Sequence, residues 1–348
     1  MFKRLNTLQE YYELLGCKEN YPVNSINCEI CGNLSFKTIC SHTDTGNKTL
    51  APVPVKACKK CGFLMQNPRF PEEFYNRYYD EFYPFMRARS QSNIKGDLNN
   101  VGGKKQMDED GTPNDFGFEV ALERAKNLYK YLENENIKIP KKSLLDVGCG
   151  CGGFLKFFSD KGFEVVGNDP DVKAAKFGIK KGLKIDIVSG EKMEYNQKFG
   201  LIIIIGSLEH CFNPNIVLEK CWNMLEEEGI IVIEGRYYPI SESFRWLNSN
   251  HHRFFTNQSS QAIFLKHGFK IIKSTTDAVC GGNTGRNGGG FAFGQKLNEN
   301  KKYTNVNKKD THDKSIDLLN LKNLIVSPEK TLSDIEKHDK QFNIKYID

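Results

Sequence analysis

A glycine-rich turn at residues 148–152 has residue types that could hold a ligand against the backbone. It contains Gly148, Gly150 and Gly152, and it follows the short apolar run at residues 144–147. Such a run ending in glycines is typical of a buried parallel strand that enters a tight turn. Glycines adopt positive φ angles and carry no side chain, so a ligand can lie against them. Residues 154–158 begin an apolar helix, which places that ligand near a helix N-terminus.

Two acidic residues flank this turn in sequence. Asp146 precedes the glycines by two residues, and Asp169 follows a second predicted strand at residues 164–168. An acid about 20 residues after a glycine turn can accept hydrogen bonds from ribose hydroxyls. A dinucleotide and S-adenosylmethionine both fit this order of elements. Asp146 would repel a pyrophosphate and suits a cationic, amine-bearing ligand better.

The stretch resembles motif I of class I S-adenosylmethionine-dependent methyltransferases, an acid followed by GxGxG. Asp169 matches the ribose-binding acid of that family. The resemblance implies that S-adenosylmethionine is held by Asp146, the three glycines and Asp169. It also implies that the loop after the third strand contacts the adenine through Glu191 or Met193; a plain surface loop is the alternative.

The apolar run at residues 199–205 predicts a central parallel strand, which is followed by Ser207 and by the pair Glu209-His210. Open parallel sheets bind ligands at the carboxyl ends of their strands. This pair resembles the Glu-His pair after the fourth strand of many class I methyltransferases. We expect Ser207 and Glu209 to contact the cofactor. His210 is a candidate general base, and the alternatives are a helix cap or a wall of the cofactor pocket.

Further candidates follow the predicted fifth strand at residues 230–234. Tyr237 comes after its carboxyl end, so we expect this residue to contact substrate. In the resembling enzymes, a histidine just before the helix predicted at 256–267 lies near the active site, so His251 or His252 is a rival base. Arg286 stands in the glycine-rich stretch 280–290. That stretch predicts either an anion-binding nest or a flexible connection.

Four cysteines form two Cys-x-x-Cys-Gly pairs, and each pair can present two thiolates to one metal. They are Cys28, Cys31, Cys58 and Cys61. Two such knuckles predict a closed tetrahedral zinc site that stabilises the fold and does no chemistry. A redox Cys-x-x-Cys pair is the main rival. Cys40 and His42 lie between the knuckles and are alternative ligands.

Residues 28–83 resemble the zinc-binding N-terminal domain of a bacterial subfamily that joins a two-knuckle module to a class I methyltransferase domain. The matching elements are both knuckles, residues 66–69 (Gln-Asn-Pro-Arg) and the Tyr-Tyr pair at 78–79. Members include sugar-nucleotide C-methyltransferases and enzymes of surface-polysaccharide pathways. The resemblance covers most of residues 28–296 and implies a sugar-nucleotide or glycan-precursor acceptor.

The predicted fold class is α/β. It comprises a Rossmann-like, seven-stranded class I methyltransferase domain, a small N-terminal zinc-binding module and a short helical C-terminal tail. The expected boundaries are 1–85 for the zinc module, 86–117 for a loop, 118–297 for the methyltransferase domain and 298–348 for a linker and tail. We expect the tail helices to pack on the catalytic domain or to pair in a homodimer.

Composition narrows the class of protein further. The net charge of +6 is mild and its lysines are spread along the chain, so nucleic acid is not the expected partner. The longest apolar run is too short to cross a bilayer, and no apolar segment follows the first four residues. We therefore expect a cytoplasmic enzyme with reduced cysteines.

The sequence thus predicts an S-adenosylmethionine-dependent methyltransferase that methylates a sugar nucleotide or glycan precursor at oxygen or carbon. An RNA methyltransferase is the enzymatic alternative, since zinc knuckles and a basic chain also suit RNA. A cofactor-binding regulatory or assembly protein without catalysis is the third hypothesis.

Overall fold

The computed structural model describes residues 25–40, 43–44, 50–51, 53–79, 83, 100–101, 104–235, 250–281 and 290–297. The chain divides into two compact units. The cysteine unit contains the described residues up to 79 together with residues 250–254. The sheet unit contains the described residues from 83 to 235 and from 255 to 297. Residues 250–254, which the sequence places inside the methyltransferase domain, therefore group with the cysteines.

The cysteine unit is built on short antiparallel strands. They are β1 (Phe36–Cys40), β2 (Thr43–Asp44), β3 (Leu50–Ala51), β4 (Val55–Cys58), β5 (Leu64–Gln66) and β13 (Arg253–Phe254). Four of them form a sheet in the order β1-β4-β5-β13, and β2 pairs with β3. Helix α1 (Glu72–Arg77) follows β5 and begins after Pro71, whose fixed φ angle suits a helix start.

Aromatic side chains fill much of this unit. Phe63, Phe70, Phe74 and Tyr75 are all buried. The rings of Phe70 and Phe74 lie 4.2 Å apart, and those of Phe74 and Tyr75 meet edge to face at 5.3 Å. A module with so few strands relies on such large side chains because its own aliphatic core is small.

The sheet unit contains a mixed sheet of seven strands. They are β8 (Ser143–Val147), β9 (Glu164–Asn168), β10 (Ile185–Asp186), β11 (Phe199–Ile205), β12 (Leu225–Gly235), β14 (Lys270–Thr275) and β15 (Gly290–Gln295). Their order is β10-β9-β8-β11-β12-β15-β14. The first five run parallel, whereas β15 is antiparallel to both β12 and β14. This architecture confirms the predicted α/β, Rossmann-like, seven-stranded fold.

Helices precede and alternate with these strands along the chain. They are α2 (Asp115–Asn134), α3 (Gly153–Asp160), α4 (Val172–Lys180), α5 (Pro214–Met224) and α6 (Asn257–Lys266). Side chains cap most of their N-termini, as the residue types predict. Asn114, Asp171 and Asn213 each accept a hydrogen bond from a first-turn N–H group, and Thr256 forms a capping box with Ser259. None of the described helices is long and apolar enough to cross a membrane.

The core of the sheet unit lies where the central strands meet the helices. All five residues of β8 and the first six of β11 are buried, as expected of parallel strands covered on both faces. Phe118, Leu128 and Phe158 from the helices join one cluster with Leu201 and Phe293 from the sheet. This packing fixes the carboxyl ends of β8 and β11, next to the glycine turn and Ser207.

The differences from the sequence prediction are local. The fifth strand of the sheet, β12, begins at Leu225 and not at residue 230, because a break in its register with β11 lengthens it. The segment predicted as a loop contains two short paired strands, β6 (Asn100–Val101) and β7 (Lys104–Lys105). Helix α2 begins at Asp115, before the domain boundary expected at residue 118. The helix predicted near residues 5–15 and the tail at 298–348 lie outside the described residues.

Candidate cofactor site and cysteine cluster

The glycine turn between β8 and α3 has the predicted conformation. Gly148, Gly150 and Gly152 have φ angles of +76°, +56° and +81°. A Cβ on Gly148 would lie 2.4 Å from that of Ser207, and one on Gly152 would lie 2.6 Å from Leu183 Cδ1. A Cβ on Gly150 would meet no atom within 4 Å. Packing therefore requires the outer two glycines, whereas Gly150 borders open space.

Asp169 fastens this turn to the end of the neighbouring strand β9. Its Oδ2 accepts a hydrogen bond from the Gly150 N–H at 2.7 Å. Its Oδ1 accepts one from the Asp171 N–H at 2.8 Å, just before helix α4. The carboxylate therefore lies against the open glycine, the position that a ribose-binding acid would need.

Asp146 is the second-last residue of β8 and is almost completely buried, at 2% exposure. Burial, followed by the nearby charge of Asp169, raises the pKa of Asp146 to about 8. The guanidinium group of Arg124 opposes this shift. A buried carboxyl group beside a second carboxylate creates a local demand for positive charge.

The sequence prediction missed Arg124, which belongs to helix α2. Its Nη2 donates a hydrogen bond to Glu234 Oε2 at 3.1 Å, and its guanidinium lies 5.6 Å from the ring centre of Phe154. Its Nε is buried and has no hydrogen-bond partner among the described residues. A signal was available, because Arg124 lies one position from buried Ala125 and one helical turn from buried Leu128. A cation on the core-facing side of a helix is unusual enough to suggest a role.

Ser207, Glu209 and His210 lie in the turn after β11. Ser207 Oγ donates a hydrogen bond to the Val147 carbonyl at 2.6 Å, which ties this turn to the end of β8. The His210 N–H donates to the Ser207 carbonyl at 3.0 Å. Glu209 is fully buried and His210 is half-buried. The three predicted residues are therefore next to the cofactor turn through Ser207.

Glu191 lies in the loop after β10, as predicted. Its Oε1 accepts a hydrogen bond from the Asn213 N–H at 3.0 Å, at the residue that caps helix α5. Met193, from the same loop, is buried. Glu191 thus connects its loop to the start of α5, and this bond fixes its position at the same edge of the sheet.

The remaining candidates are His251, His252, Tyr237, Arg286, His42 and Cys40. His251 and His252 are buried residues of the cysteine unit, whereas His210 belongs to the sheet unit. Tyr237, Arg286 and His42 lie outside the described residues. Cys40 belongs to strand β1.

The four cysteines of the two knuckles converge on one point in the cysteine unit. The sulfur atoms of Cys28, Cys31, Cys58 and Cys61 all lie within 4.8 Å of one another. The Cys28–Cys61 and Cys31–Cys58 sulfur distances are both 3.5 Å. A tetrahedral zinc with Zn–S bonds of about 2.3 Å separates its sulfurs by about 3.8 Å. The thiol cluster therefore fits a zinc ion.

The two knuckles share one backbone geometry. In each, the carbonyl of the first cysteine accepts a hydrogen bond of 2.8 Å from the glycine that follows the second cysteine. These glycines, Gly32 and Gly62, have φ angles of +70° and +76°. Each first cysteine also donates its N–H at 2.9 Å, to Asn33 and Phe63 respectively. The repeated turn explains the glycine after each pair, and it presents two sulfurs from each side.

Comparison with known proteins agrees with this architecture. Residues 120–274 match the model of a methyltransferase domain family. It is similar to a ubiquinone biosynthesis O-methyltransferase of Nitrobacter winogradskyi, with 33% identity over 94 residues, covering 25% of this chain and 36% of that protein. A protein of the same name from a Bradyrhizobium species is 31% identical over 96 residues, covering 26% of this chain and 38% of the relative.

These matches are partial, because the chain spans little more than a third of the length of these curated relatives. Among solved structures, an S-adenosylmethionine-dependent methyltransferase from Clostridium acetobutylicum aligns over 51% of this chain and 92% of its own. That alignment has 11% identity and a TM-score of 0.40.

Proposed function

We propose that this chain is an S-adenosylmethionine-dependent methyltransferase that methylates a hydroxyl group of a small molecule. One observation carries the proposal: Asp169 binds the N–H of Gly150 at the edge of the sheet where β8 and β9 end. The carboxylate and the open glycine together can receive the ribose of a nucleoside. The match of residues 120–274 to a methyltransferase domain family supports the same conclusion.

The cofactor would supply an electrophilic methyl group on its sulfonium sulfur. The residues present suit its remaining groups. Asp169 would accept hydrogen bonds from the ribose hydroxyls. Asp146 would balance the positive charge of the amine, and the Nε of Arg124 is a donor for the carboxylate. Glu191, Ser207 and Glu209 would complete the wall of the site from the neighbouring loops.

The proposed chemistry needs a base because an alcohol must lose its proton as the methyl group is transferred. His210 would accept this proton, since an imidazole can act as a general base and this residue follows the carboxyl end of β11. Apart from this proton transfer, the enzyme would act by aligning the acceptor oxygen with the methyl group. His251 and Tyr237 remain rival candidates for contact with the acceptor.

Two classes of acceptor compete. The matched relatives are named for ubiquinone biosynthesis, which suggests a phenolic hydroxyl, but the match covers only a quarter of this chain. The cysteine unit resembles the N-terminal module of enzymes that act on sugar nucleotides and surface glycans. On this resemblance, we propose a sugar nucleotide or glycan precursor as the acceptor.

We further propose that the four cysteines bind one structural zinc ion. The convergence of their sulfurs within 4.8 Å and the repeated knuckle geometry support this assignment. With four thiolate ligands the metal would have no open position, so it would stabilise the unit without taking part in methyl transfer.

A screen of methyl acceptors tests the proposed function. Zinc-containing protein is incubated with methyl-labelled S-adenosylmethionine and one class of acceptor at a time. The acceptors are sugar nucleotides, catechols and transfer RNA. Transfer of label to a sugar nucleotide is the expected result, and loss of transfer in His210→Gln with cofactor binding intact would assign the base. Labelling of RNA with steep salt dependence would replace the proposal by an RNA methyltransferase. Tight cofactor binding without transfer to any acceptor would favour a regulatory protein.

A further inference from the structure

A buried ion-pair cluster lies inside the first cysteine knuckle. Glu29 stands between Cys28 and Cys31, and its carboxylate accepts three N–H groups. Arg253 donates its Nε to Oε2 at 2.6 Å and its Nη2 to Oε1 at 2.8 Å, and Arg69 donates its Nη1 to Oε1 at 2.9 Å. All three side chains are buried, and Arg253 is 0% exposed. Such a forked pair is strong and directional.

Glu29 therefore joins the knuckle to a segment that is distant in sequence. Arg253 begins β13, which pairs with β5 at the edge of the four-stranded sheet. The Gln66 N–H donates to the carbonyl of His252 at 2.9 Å. The His252 ring lies 3.9 Å from the ring centre of Tyr75, whose hydroxyl donates to Gln66 Oε1 at 3.1 Å. We call residues 250–254 the histidine segment.

The second contact, Arg69, explains part of the Gln-Asn-Pro-Arg motif. Asn67 accepts the Ile26 N–H at 3.1 Å and donates to the Ile26 carbonyl at 2.9 Å. Asn67 therefore holds the chain just before the first knuckle, while Arg69 binds Glu29 within it. The motif fixes the knuckle from one side, and the histidine segment fixes it from the other.

Charge links this cluster to the metal. Glu29 pairs with both Arg69 and Arg253, and it adjoins the proposed zinc ligand Cys28 in the chain. A zinc ion with four thiolates carries a net charge of 2−. A buried positive charge is costly unless a negative charge lies nearby. Zinc-bound thiolates would bring negative charge to the knuckle that contains Glu29, whereas neutral thiols would not.

We propose that Glu29 and Arg253 are positioning residues that couple occupancy of the zinc site to the placement of the histidine segment. The proposal rests on the zinc ion of the proposed function. The coupling must be reciprocal: if zinc stabilises the docked segment, the docked segment strengthens zinc binding by the same free energy. The zinc site then has a role beyond folding, because it holds a segment that contains two candidate histidines.

Zinc release from the full-length, zinc-loaded protein tests the coupling. Excess chelator is added and release is followed with a metallochromic dye. Glu29→Gln and Arg253→Met keep all four cysteines, and we expect each to release zinc at least tenfold faster than wild type. Glu73→Gln is the matched control, since Glu73 is an exposed acid of helix α1 in the same unit. Release rates of the two variants equal to that control would overturn the proposal.

A conservative variant guards against misfolding. Arg253→Lys keeps the charge but loses the forked geometry, so its release rate should lie between those of wild type and Arg253→Met. Hydrogen exchange of a peptide covering residues 250–256 gives the reverse measurement. Its protection should fall at least tenfold when zinc is removed, while that of residues 199–205 stays unchanged.

The outcomes separate this inference from the proposed function. A wild-type protein that binds no zinc overturns the metal site and the coupling together. A zinc-loaded protein whose histidine segment keeps its protection after zinc removal overturns the coupling alone. A failed methyl-transfer assay would leave both metal measurements valid.

Discussion

At the scale of single residues, the positive-φ glycines differ in what their missing side chains permit. Gly148 and Gly152 lie against packed neighbours, so a side chain there would displace protein atoms. Gly150 lies against open space and its N–H is bound by Asp169. Packing therefore does not require a glycine at position 150, and we assign its missing side chain to ligand binding.

Gly150→Ala tests this distinction against Gly162→Ala. Both positions have positive φ angles and open space around the added Cβ, so each substitution should cost about 1 kcal/mol of stability. Only Gly150→Ala should weaken S-adenosylmethionine binding, by at least about tenfold, which is about 1.4 kcal/mol. Calorimetric titration measures the affinity, and equal affinities for the two variants would contradict the assignment of the turn.

Asp169→Asn should weaken cofactor binding by at least about tenfold, because an amide cannot accept from two ribose hydroxyls as a carboxylate does. Asp160→Asn is the control, since Asp160 is an exposed acid at the end of α3 that pairs with Lys156. Titration of both variants with S-adenosylmethionine checks the prediction. A loss shared by both would point to general electrostatics and away from a ribose contact.

Asp146 predicts a pH dependence of stability in the cofactor-free protein. Burial raises the pKa of Asp146 from 3.8 to about 8. Between these values the folded state binds a proton that the unfolded state lacks, so the contribution of Asp146 to stability falls as pH rises. Thermal unfolding from about pH 5 to 8 should show this decline, and Asp146→Asn should flatten it. Identical slopes would contradict the prediction.

At the scale of elements, the order of strands and helices could be predicted better than the grouping of the chain. Strand β9 has the predicted bounds, because a short apolar run between turn residues leaves little choice. The pairing of β13 with β5 was not predictable from local pattern, since it joins residues 253–254 to residues 64–65. Contacts between such distant segments depend on tertiary packing.

The candidate site likewise contains residues that the sequence motif predicts and one that depends on tertiary packing. Asp146, the glycines and Asp169 form a motif with fixed spacing, so the sequence alone placed them at one edge of the sheet. Arg124 lies on a helix before the motif and has no such spacing. Its position follows from the packing of α2 on α3, which brings its guanidinium over Phe154. Residues that reach a site through packing are the ones that a sequence pattern misses.

The folding of the cysteine unit should depend on bound zinc, because its sheet is too small to supply a large core. Cys58→Ser should lose the metal and the antiparallel sheet, while the sheet unit should keep its fold and bind S-adenosylmethionine. Cys221→Ser is the control, since Cys221 is buried in helix α5. Metal analysis and far-ultraviolet circular dichroism check both variants. Retention of zinc by Cys58→Ser would contradict the four-cysteine site.

At the scale of the whole molecule, the chain combines two units with different sources of stability. The sheet unit has a continuous apolar core. The cysteine unit depends on its aromatic residues, the buried pair of Glu29 with two arginines and, in our proposal, zinc. The mild net charge of +6 offers little general attraction for nucleic acid, which agrees with a small-molecule acceptor.

Native mass spectrometry of the purified full-length protein tests the central claim most directly. We predict a species that carries one zinc ion and that gains the mass of one S-adenosylmethionine or of its demethylated product. Zinc without any nucleoside at saturating cofactor would contradict the methyltransferase proposal and leave the metal site standing. Binding of the nucleoside without zinc would contradict the function assigned to the four cysteines.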